Sequence, residues 1–250
     1  MQTRARGITK PNQQRSIETQ KKILDAAEEL FSNYGFHGTS LREISSLAGV
    51  RLSLTHYHFG SKGDIFQAAV DRRAEEYRRV MVNSLEDCCD RYGEEPVPLE
   101  AIIKAYVAPC MAAHGSQGPG WRNYTRLMSH LASESSLKEL KIQFQKYDAV
   151  RETYIEELKR SVPEASDKQI HWGFHFLQTA LIHLLLDTEA IDYQSRGICD
   201  SSDIEEVIEQ MQSFFGHGFA RTRVSNAGNP ETLQTSVQIS NTSCSRSPFL

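Results

Sequence analysis

The sequence predicts an all-α protein with a small N-terminal domain and a larger helical C-terminal domain. Apolar residues recur at intervals of three and four over most of the 250 residues, which is the period of a helix face. No segment shows the strong alternation of a strand. Apolar residues make up 39% of the chain and the mean hydropathy is −0.47, values that predict a soluble globular protein. No apolar run approaches the roughly 20 residues that cross a bilayer.

Composition and periodicity divide the chain into four segments. Residues 1–15 are polar and basic and are expected to form a disordered arm, followed by the first domain over residues 16–66, here called the head. The second domain, here called the body, is expected over residues 67–223. Residues 224–250 are rich in serine and have no apolar period, so we expect a disordered tail.

The first helix is predicted over residues 17–34. Ile23, Ala27 and Phe31 lie on one stripe with the spacing of a buried helix face. Gly35 ends the helix, because glycine enters the left-handed conformation without a Cβ clash. We expect this helix to pack behind the two that follow it and to have a structural role.

Residues 39–62 contain two short helices joined by a tight turn. Ser40 followed by Glu43 is a capping box, so a helix is expected to begin directly after Ser40. Gly49 ends that helix, and the next is predicted over residues 52–58. Two short helices joined by a three- or four-residue turn that contains glycine form a helix-turn-helix. In such motifs the second helix enters the major groove of DNA.

A lysine lies in the first turn of the helix that follows. Ser61, with Asp64 three residues later, can cap this helix and so places Lys62 at its N-terminus. A cation there opposes the helix dipole by roughly 0.3–1 kcal/mol. A bound anion reverses that effect, and a DNA phosphate is the obvious anion. The alternative is a solvated lysine in a loop.

The body is predicted to consist of further helices over residues 62–92, 99–114, 121–133, 137–160, 168–189 and 202–221. The first connects head and body, so a shift of it re-aims the head. Pro109 is expected to kink the second, and a kink leaves gaps that can become pockets. The last two helices are apolar on two faces, which predicts a four-helix bundle made by two subunits. The alternative is that one chain covers both faces.

Two stretches carry a family resemblance: ILDAAEELFSNYGFHGTSLREISSLAGV, and then YHFGSK followed by Ile65 and Phe66. Over residues 17–66 the chain resembles the DNA-binding domain of the TetR family of bacterial transcriptional regulators. The resemblance implies a homodimer that binds a near-palindromic operator in double-stranded DNA. Base-facing positions of the family motif are occupied here by Arg42, Leu52, Ser53 and Leu54. Phosphate-facing positions are occupied by Thr39, Ser40, His56, Tyr57, His58 and Lys62.

The distribution of charge agrees with a head that meets phosphates. Residues 1–65 contain nine Lys and Arg against six Asp and Glu, whereas the rest of the chain contains 19 against 26. A net charge of −4 therefore separates into a basic head and an acidic body. The basic arm has two possible roles, a contact to the DNA backbone or minor groove and a merely untidy terminus.

The TetR resemblance also implies a small-molecule pocket in the body. The residues expected to line it are Tyr106, Cys110, Trp121, Arg122, Tyr124, Met128, Phe144, Tyr147, Phe174 and His175. An aromatic lining with a cation suits a long apolar molecule with an acidic end. WRNYTRL, HWGFHFLQTAL and SFFGHGFA further resemble the C-terminal domain of fatty-acid-responsive TetR regulators, which points to acyl chains or acyl-CoA. The alternative for each residue is ordinary core packing.

Other chemistry has little support in the sequence. His171 and His175 have the i, i+4 spacing of metal ligands, but Trp, Gly and Phe lie between them and the glutamate of a metalloprotease motif is absent. We expect core or interface histidines, no metal, no cofactor and no enzyme. Five scattered cysteines without a CxxC motif predict reduced thiols and a cytoplasmic protein. Two alternatives to an effector-controlled regulator remain: a regulator that binds DNA without an effector, and a helical enzyme.

Overall fold

The computed structural model describes residues 11–115, 118–133, 145, 147–186 and 189–221, and all structural statements concern these residues. They contain ten helices and no strand, which confirms the all-α prediction. The helices are α1 (Pro11–Tyr34), α2 (Leu41–Leu47), α3 (Leu52–Phe59), α4 (Lys62–Tyr92), α5 (Leu99–Gly115), α6 (Pro119–Ser133), α7 (Asp148–Ser161), α8 (Asp167–Leu186), α9 (Ala190–Gln194) and α10 (Ile204–Arg221). Not one of these described helices is long and apolar enough to cross a membrane.

The first helix is longer than predicted. It begins at Pro11, so the expectation of a disordered arm is wrong for residues 11–15. Proline is well tolerated in a first helical turn because the N–H that it lacks would have no partner there. The rest of the predicted arm, residues 1–10, lies outside the described residues, as does the predicted tail beyond residue 221.

The core of the head extends into the body. Fully buried side chains of α1, α2 and α4, among them Phe31, Ile44 and Ile65, pack into one cluster. Leu127 and Leu131 of α6 belong to the same cluster and are also buried. The predicted boundary at residue 66 therefore does not separate two independent cores.

A second core lies between α4, α5, α7, α8 and α10. Pro109 lies inside α5, and the helix continues on both sides of it. Because proline has no N–H, the carbonyl of Ala105 one turn earlier loses its helical partner. That oxygen instead accepts hydrogen bonds from Ser84 Oγ and from the Tyr154 hydroxyl, each at 2.9 Å. The Tyr154 hydroxyl also lies 2.8 Å from the carbonyl oxygen of Met81.

Two helices of the body differ from their predictions. The helix predicted over residues 137–160 is described only as α7, from Asp148, because residues 134–144 and 146 lie outside the described part. A short helix, α9, was not predicted at all. Asp192 of α9 accepts hydrogen bonds from the backbone N–H and the hydroxyl of Ser201, at 2.6 and 2.8 Å, and so closes the connection to α10.

Candidate nucleic-acid interface and internal cavity

Local sequence signals shape α2 and its turn as predicted. The Ser40 N–H donates to Glu43 Oε2 at 2.8 Å, and the Glu43 N–H donates to Ser40 Oγ at 3.3 Å. This capping box lowers the pKa of Glu43, because Ser40 donates to the ionised carboxylate. Gly49 has φ 65°, a left-handed value that favours glycine at the turn before α3.

A buried hydroxyl pair that the sequence analysis missed fixes α3 against α2. Ser45 Oγ and Thr55 Oγ1 lie 2.8 Å apart, and both residues are buried. Ser45 Oγ also donates to the carbonyl of Leu41 at 2.7 Å, so Thr55 is the donor of the pair. Since the two residues are ten positions apart on different helices, no local pattern indicates their contact.

The outer face of α3 is free of the core. Ser53, Leu54, His56 and Tyr57 are exposed, and Tyr57 is 81% exposed. Arg42 of α2 and Ser40 are exposed on the same motif. Arg51, the residue before α3, is exposed as well and was missed in the sequence analysis, although its place next to the predicted recognition helix is a usable signal.

Leu52 and His58 occupy intermediate positions. Both are half-buried rather than exposed. His58 turns toward α1, with Nδ1 3.5 Å from Gln20 Nε2. Of the predicted base-facing and phosphate-facing residues on α3, these two have the least surface available for DNA.

Thr39 and Lys62 have contacts that differ from those predicted. Thr39 is buried, and its hydroxyl donates to the carbonyl of Gly35 at 2.9 Å. Lys62 does lie in the first turn of α4, but its ammonium is not free: Nζ donates to the carbonyls of Phe36 at 2.8 Å and of Thr39 at 3.0 Å. It also lies 4.3 Å from the centroid of the Phe36 ring. The turn after α1 leaves these carbonyls without helical partners, and Lys62 satisfies them.

The described residues of the body enclose a partly open cavity of about 100 Å³. It lies between five helices, and its walls are mostly aromatic, aliphatic and sulfur-containing. The lining residues are Tyr77, Met81, Tyr106, Cys110, Thr125, Met128, Ser129, Ala132, Tyr147, Val150, Arg151, Gln178, Leu181, Ile182 and Leu185. Four of the predicted pocket residues are therefore in its wall: Tyr106, Cys110, Met128 and Tyr147.

Three predicted residues of α6 do not line the cavity. Trp121 and Arg122 belong to the first turns of α6, before Thr125, where the cavity wall begins. The Trp121 ring packs on the guanidinium of Arg73 at 5.3 Å, and Arg122 is exposed. Tyr124 is buried behind the wall, with its hydroxyl 2.6 Å from that of Tyr147.

The predicted residues of α8 and the preceding segment are also absent from the described wall. Phe174 is buried, but it packs on the outer side of Tyr106, with ring centroids 5.0 Å apart. His175 is exposed and faces the side of α8 that carries Trp172. Phe144 lies outside the described residues.

The ionisable groups of the wall are neutral or paired. Burial raises the pKa of Tyr77 well above its usual value, that of Cys110 to about 11 and that of Tyr147 to about 12. The Tyr77 hydroxyl lies 3.0 Å from Cys110 Sγ. Arg151 pairs through its two terminal nitrogens with Asp148 at 2.8 Å and with Glu152 at 3.4 Å.

Helix α6 contacts both the head core and the cavity. Leu127 and Leu131 are in the head core, whereas Met128 and Ser129 line the cavity. A displacement of α6 at the cavity therefore changes the packing beneath the helix-turn-helix. A second link joins α4 to α1, since Arg72 Nη1 lies 2.7 Å from Asp25 and 3.2 Å from Glu28.

An exposed aromatic surface lies on α8 and α10. Trp172, Phe176 and Phe214 are 52%, 56% and 73% exposed and border a groove of about 480 Å³. At the base of the groove Gly173 contacts Phe219, and a Cβ there would lie 2.3 Å from the ring, so the two helices can approach closely only with glycine. We call Trp172, Phe176, Phe214 and Phe215 the aromatic patch.

The described residues contain no group of three His, Cys, Asp or Glu side chains that could hold a metal ion. His171 and His175, whose spacing resembled that of metal ligands, are both exposed on α8. They are not core residues. Their position beside the aromatic patch is compatible with the interface that the sequence analysis offered as an alternative to the core.

Comparison with known proteins identifies both parts of the chain. The family model described as "Bacterial regulatory proteins, tetR family" matches residues 23–69, and "Tetracyclin repressor-like, C-terminal domain" matches residues 104–218. The HTH-type transcriptional repressor BepR of Brucella suis is 33% identical over 93 residues, 37% of this chain and 42% of BepR. The HTH-type transcriptional regulator RutR of Escherichia coli K12 is 44% identical over 57 residues, 22% of this chain and 27% of RutR. The chain thus spans less than half the length of these curated relatives.

A solved structure extends the likeness in fold to most of the chain. A TetR-like transcriptional regulator from Rhodococcus sp. RHA1 matches 81% of this chain and 96% of its own, with a TM-score of 0.57 and 16% identity. The two family models together match about two thirds of the residues and agree with the helix-turn-helix, the helical body and this fold. The chain therefore belongs to the TetR family of bacterial regulatory proteins.

Proposed function

We propose that this protein is a homodimeric, sequence-specific DNA-binding transcriptional regulator, released from a palindromic operator by a small effector. The observation that carries the proposal is the contrast between the two faces of α3. The outer face exposes Ser53, Leu54, His56 and Tyr57, whereas Thr55 on the inner face is hydrogen-bonded to Ser45. A helix fixed on one side and open on the other can enter a major groove without repacking. The name of BepR as a repressor favours repression over activation.

The DNA contacts are assigned by exposure. Arg42, Ser53 and Leu54 are proposed to face base edges, with Leu54 suited to thymine methyl groups. Ser40, His56 and Tyr57 are proposed to face phosphates, joined by Arg51, which was not predicted. Thr39, Leu52, His58 and Lys62 are proposed to act through packing, because their side chains are buried, half-buried or engaged elsewhere.

The aromatic patch is proposed as the centre of the homodimer interface, within the segments 168–189 and 202–221 predicted from sequence. Three large aromatic side chains that are more than half exposed on one chain are unusual unless a partner covers them. The proposal requires that a two-fold axis through this surface sets the two heads on half-sites about 34 Å apart, one turn of DNA. Burial of the aromatic side chains supplies the main driving force for association.

Effector control is proposed to pass through α6. A molecule that widens the cavity displaces Met128 and Ser129, and with them Leu127 and Leu131 in the head core. The heads then no longer match successive grooves, provided the ligand prefers the displaced state by a few kcal/mol. A cavity of about 100 Å³ is below the roughly 300–1,000 Å³ of typical ligand pockets. An acyl chain or acyl-CoA, the effector favoured by the sequence, enters only if the helices separate.

The same small volume favours one alternative, a regulator that binds DNA constitutively without an effector. The two functions differ in a single measurement. DNA affinity that falls when a molecule binds the cavity supports effector control, whereas affinity that no cavity ligand changes supports the constitutive regulator.

Selection of operator sequences by the full-length protein, followed by anisotropy titrations, tests the DNA-binding proposal. We expect a palindromic site, and Arg42→Ala should cost about 1–3 kcal/mol at one base position in each half-site. Arg160→Ala, an exposed arginine of α7, is the control and should change neither affinity nor preference. A selected pool without a palindrome, or sedimentation of single chains on DNA, contradicts the proposal.

A further inference from the structure

We infer that the cavity takes a small, uncharged, single-ring molecule with an oxygen that accepts a hydrogen bond from Tyr77, rather than a long-chain acid. This inference rests on the proposed function, since it names the chemical class of the effector. It is carried by three observations: the volume of the cavity, the sulfur partner of Tyr77 and the pairing of Arg151.

The volume of the cavity fits roughly one ring. The cavity measures about 100 Å³, whereas an engineered apolar cavity of about 150 Å³ is known to bind benzene. The difference is within reach of Met81 and Met128, which both line the cavity and have flexible, polarisable side chains. A ring also finds partners for edge-to-face contacts in Tyr77, Tyr106 and Tyr147.

The Tyr77 hydroxyl is the polar group of the wall with most to gain from a ligand. It lies 3.0 Å from Cys110 Sγ, and sulfur is a weak hydrogen-bond partner. Its raised pKa, caused chiefly by burial, keeps it protonated and therefore a donor at neutral pH. The Tyr147 hydroxyl also has a sulfur acceptor, Met128 Sδ at 3.6 Å, but unlike Tyr77 it has an oxygen partner as well, the Tyr124 hydroxyl at 2.6 Å. Tyr106 has a nitrogen or oxygen partner in Gln178.

Charge discriminates against a carboxylate ligand. Arg151 is the cation of the described wall, and its guanidinium is already neutralised by Asp148 and Glu152. A buried carboxylate would therefore have to compete with these two acids for Arg151 or lose its hydration without compensation. A neutral oxygen opposite Tyr77 avoids that cost.

Phenol and toluene form a matched pair of probes, because they differ only in a hydroxyl and a methyl group. Isothermal titration of the full-length protein should give phenol a dissociation constant on the order of 0.01–1 mM. We expect phenol to bind about tenfold more tightly than toluene, which corresponds to one buried hydrogen bond. Benzoate, the anionic probe, and dodecanoate, the long-chain probe, should both bind more weakly than phenol.

Two variants and a control assign the preference to Tyr77. Tyr77→Phe keeps the ring and should reduce the phenol preference over toluene to less than about twofold. Cys110→Ser gives Tyr77 an oxygen partner in place of sulfur, so the preference should fall about threefold even if Tyr77→Phe fails to fold. Tyr193→Phe alters a tyrosine of α9 that is 88% exposed and should leave the preference unchanged.

The inference is overturned if toluene binds as tightly as phenol, if benzoate or dodecanoate binds more tightly, or if none of the four probes binds. DNA binding is measured in parallel on the selected operator, so that failure of the ligand class can be distinguished from failure of the proposed function. Release of DNA by dodecanoate but not by phenol keeps the proposed function and rejects this ligand class. Phenol binding by a protein that shows no operator preference keeps this ligand class and rejects the proposed function.

Discussion

Replacement of Lys62 by methionine tests whether this residue holds the head together or contacts DNA. Methionine keeps most of the aliphatic stem and removes the ammonium, which donates to the carbonyls of Phe36 and Thr39. Hydrogen bonds from a charged donor contribute about 1.5–3 kcal/mol each where they are desolvated. Lys62 is only half-buried and water can replace it at the carbonyls, so we take the lower end and expect a loss of about 2 kcal/mol.

The contact of the ammonium with the Phe36 ring adds little to this figure, about 0.5–1 kcal/mol at a partly exposed site. For a chain of this size a loss of 2 kcal/mol lowers the melting temperature by about 4–8 °C. Urea unfolding should show a lower midpoint with an unchanged slope. Lys104→Met, at an exposed position of α5, is the control and should leave the midpoint within about 1 °C.

Salt dependence of DNA affinity distinguishes the two roles of Lys62. A lysine that neutralises one phosphate contributes about 0.9 to the slope of log affinity against log salt. We expect Lys62→Met to lower affinity at every salt concentration while the slope per half-site stays unchanged. A slope that falls by about one, together with an unchanged melting temperature, refutes the structural role and restores the phosphate contact expected from sequence.

Three further predictions concern other contacts. Thr55→Val removes the donor to Ser45 at nearly constant volume and should cost about 1–2 kcal/mol in thermal unfolding; a smaller loss than that of an exposed threonine would contradict it. Phe214→Glu on the aromatic patch should raise the dimer dissociation constant at least about 100-fold in sedimentation, because each dimer loses two buried aromatic side chains. Burial, with smaller effects of two nearby arginines, lowers the pKa of His114 to about 4. The unfolded chain therefore binds a proton that the folded chain does not, and stability should fall by up to about 3 kcal/mol between pH 6.5 and pH 4; a pH dependence identical to that of His114→Gln rules this out.

The helix-turn-helix could be predicted because its signals are local. The Ser40–Glu43 capping box and the left-handed Gly49 each lie within one turn of the helix end that they determine. By contrast, the contact between Ser45 and Thr55 and that between Lys62 and Phe36 join residues 10 and 26 positions apart. Helical periodicity alone does not show that Ser45, Thr55 and Lys62 have such distant hydrogen-bond partners in the fold.

The cavity was only partly predictable because it depends on the packing of five helices. The position of Pro109 and the aromatic content of α5 and α6 located it within the body. The phase of each helix decided which side chains reach it. On α6 the cavity begins only at Thr125, one turn beyond Trp121 and Arg122, and on α7 the phase brought in Arg151, which has no special mark in the sequence. The merged core of head and α6 was missed for the same reason, since Leu127 and Leu131 appear in sequence as residues of the body.

The Ala105 carbonyl has a consequence for how the body deforms. Through Ser84 and Tyr154 this one oxygen joins α4, α5 and α7, and the single Tyr154 hydroxyl proton is shared between it and the Met81 carbonyl of α4. These three helices are therefore expected to move as a single rigid floor under the cavity. Expansion of the cavity would therefore come from movement of α6 and α8, the other two helices of its wall, which have no such hydrogen bond to that oxygen. An Ala at position 109 would return the missing amide to the helix and loosen the floor.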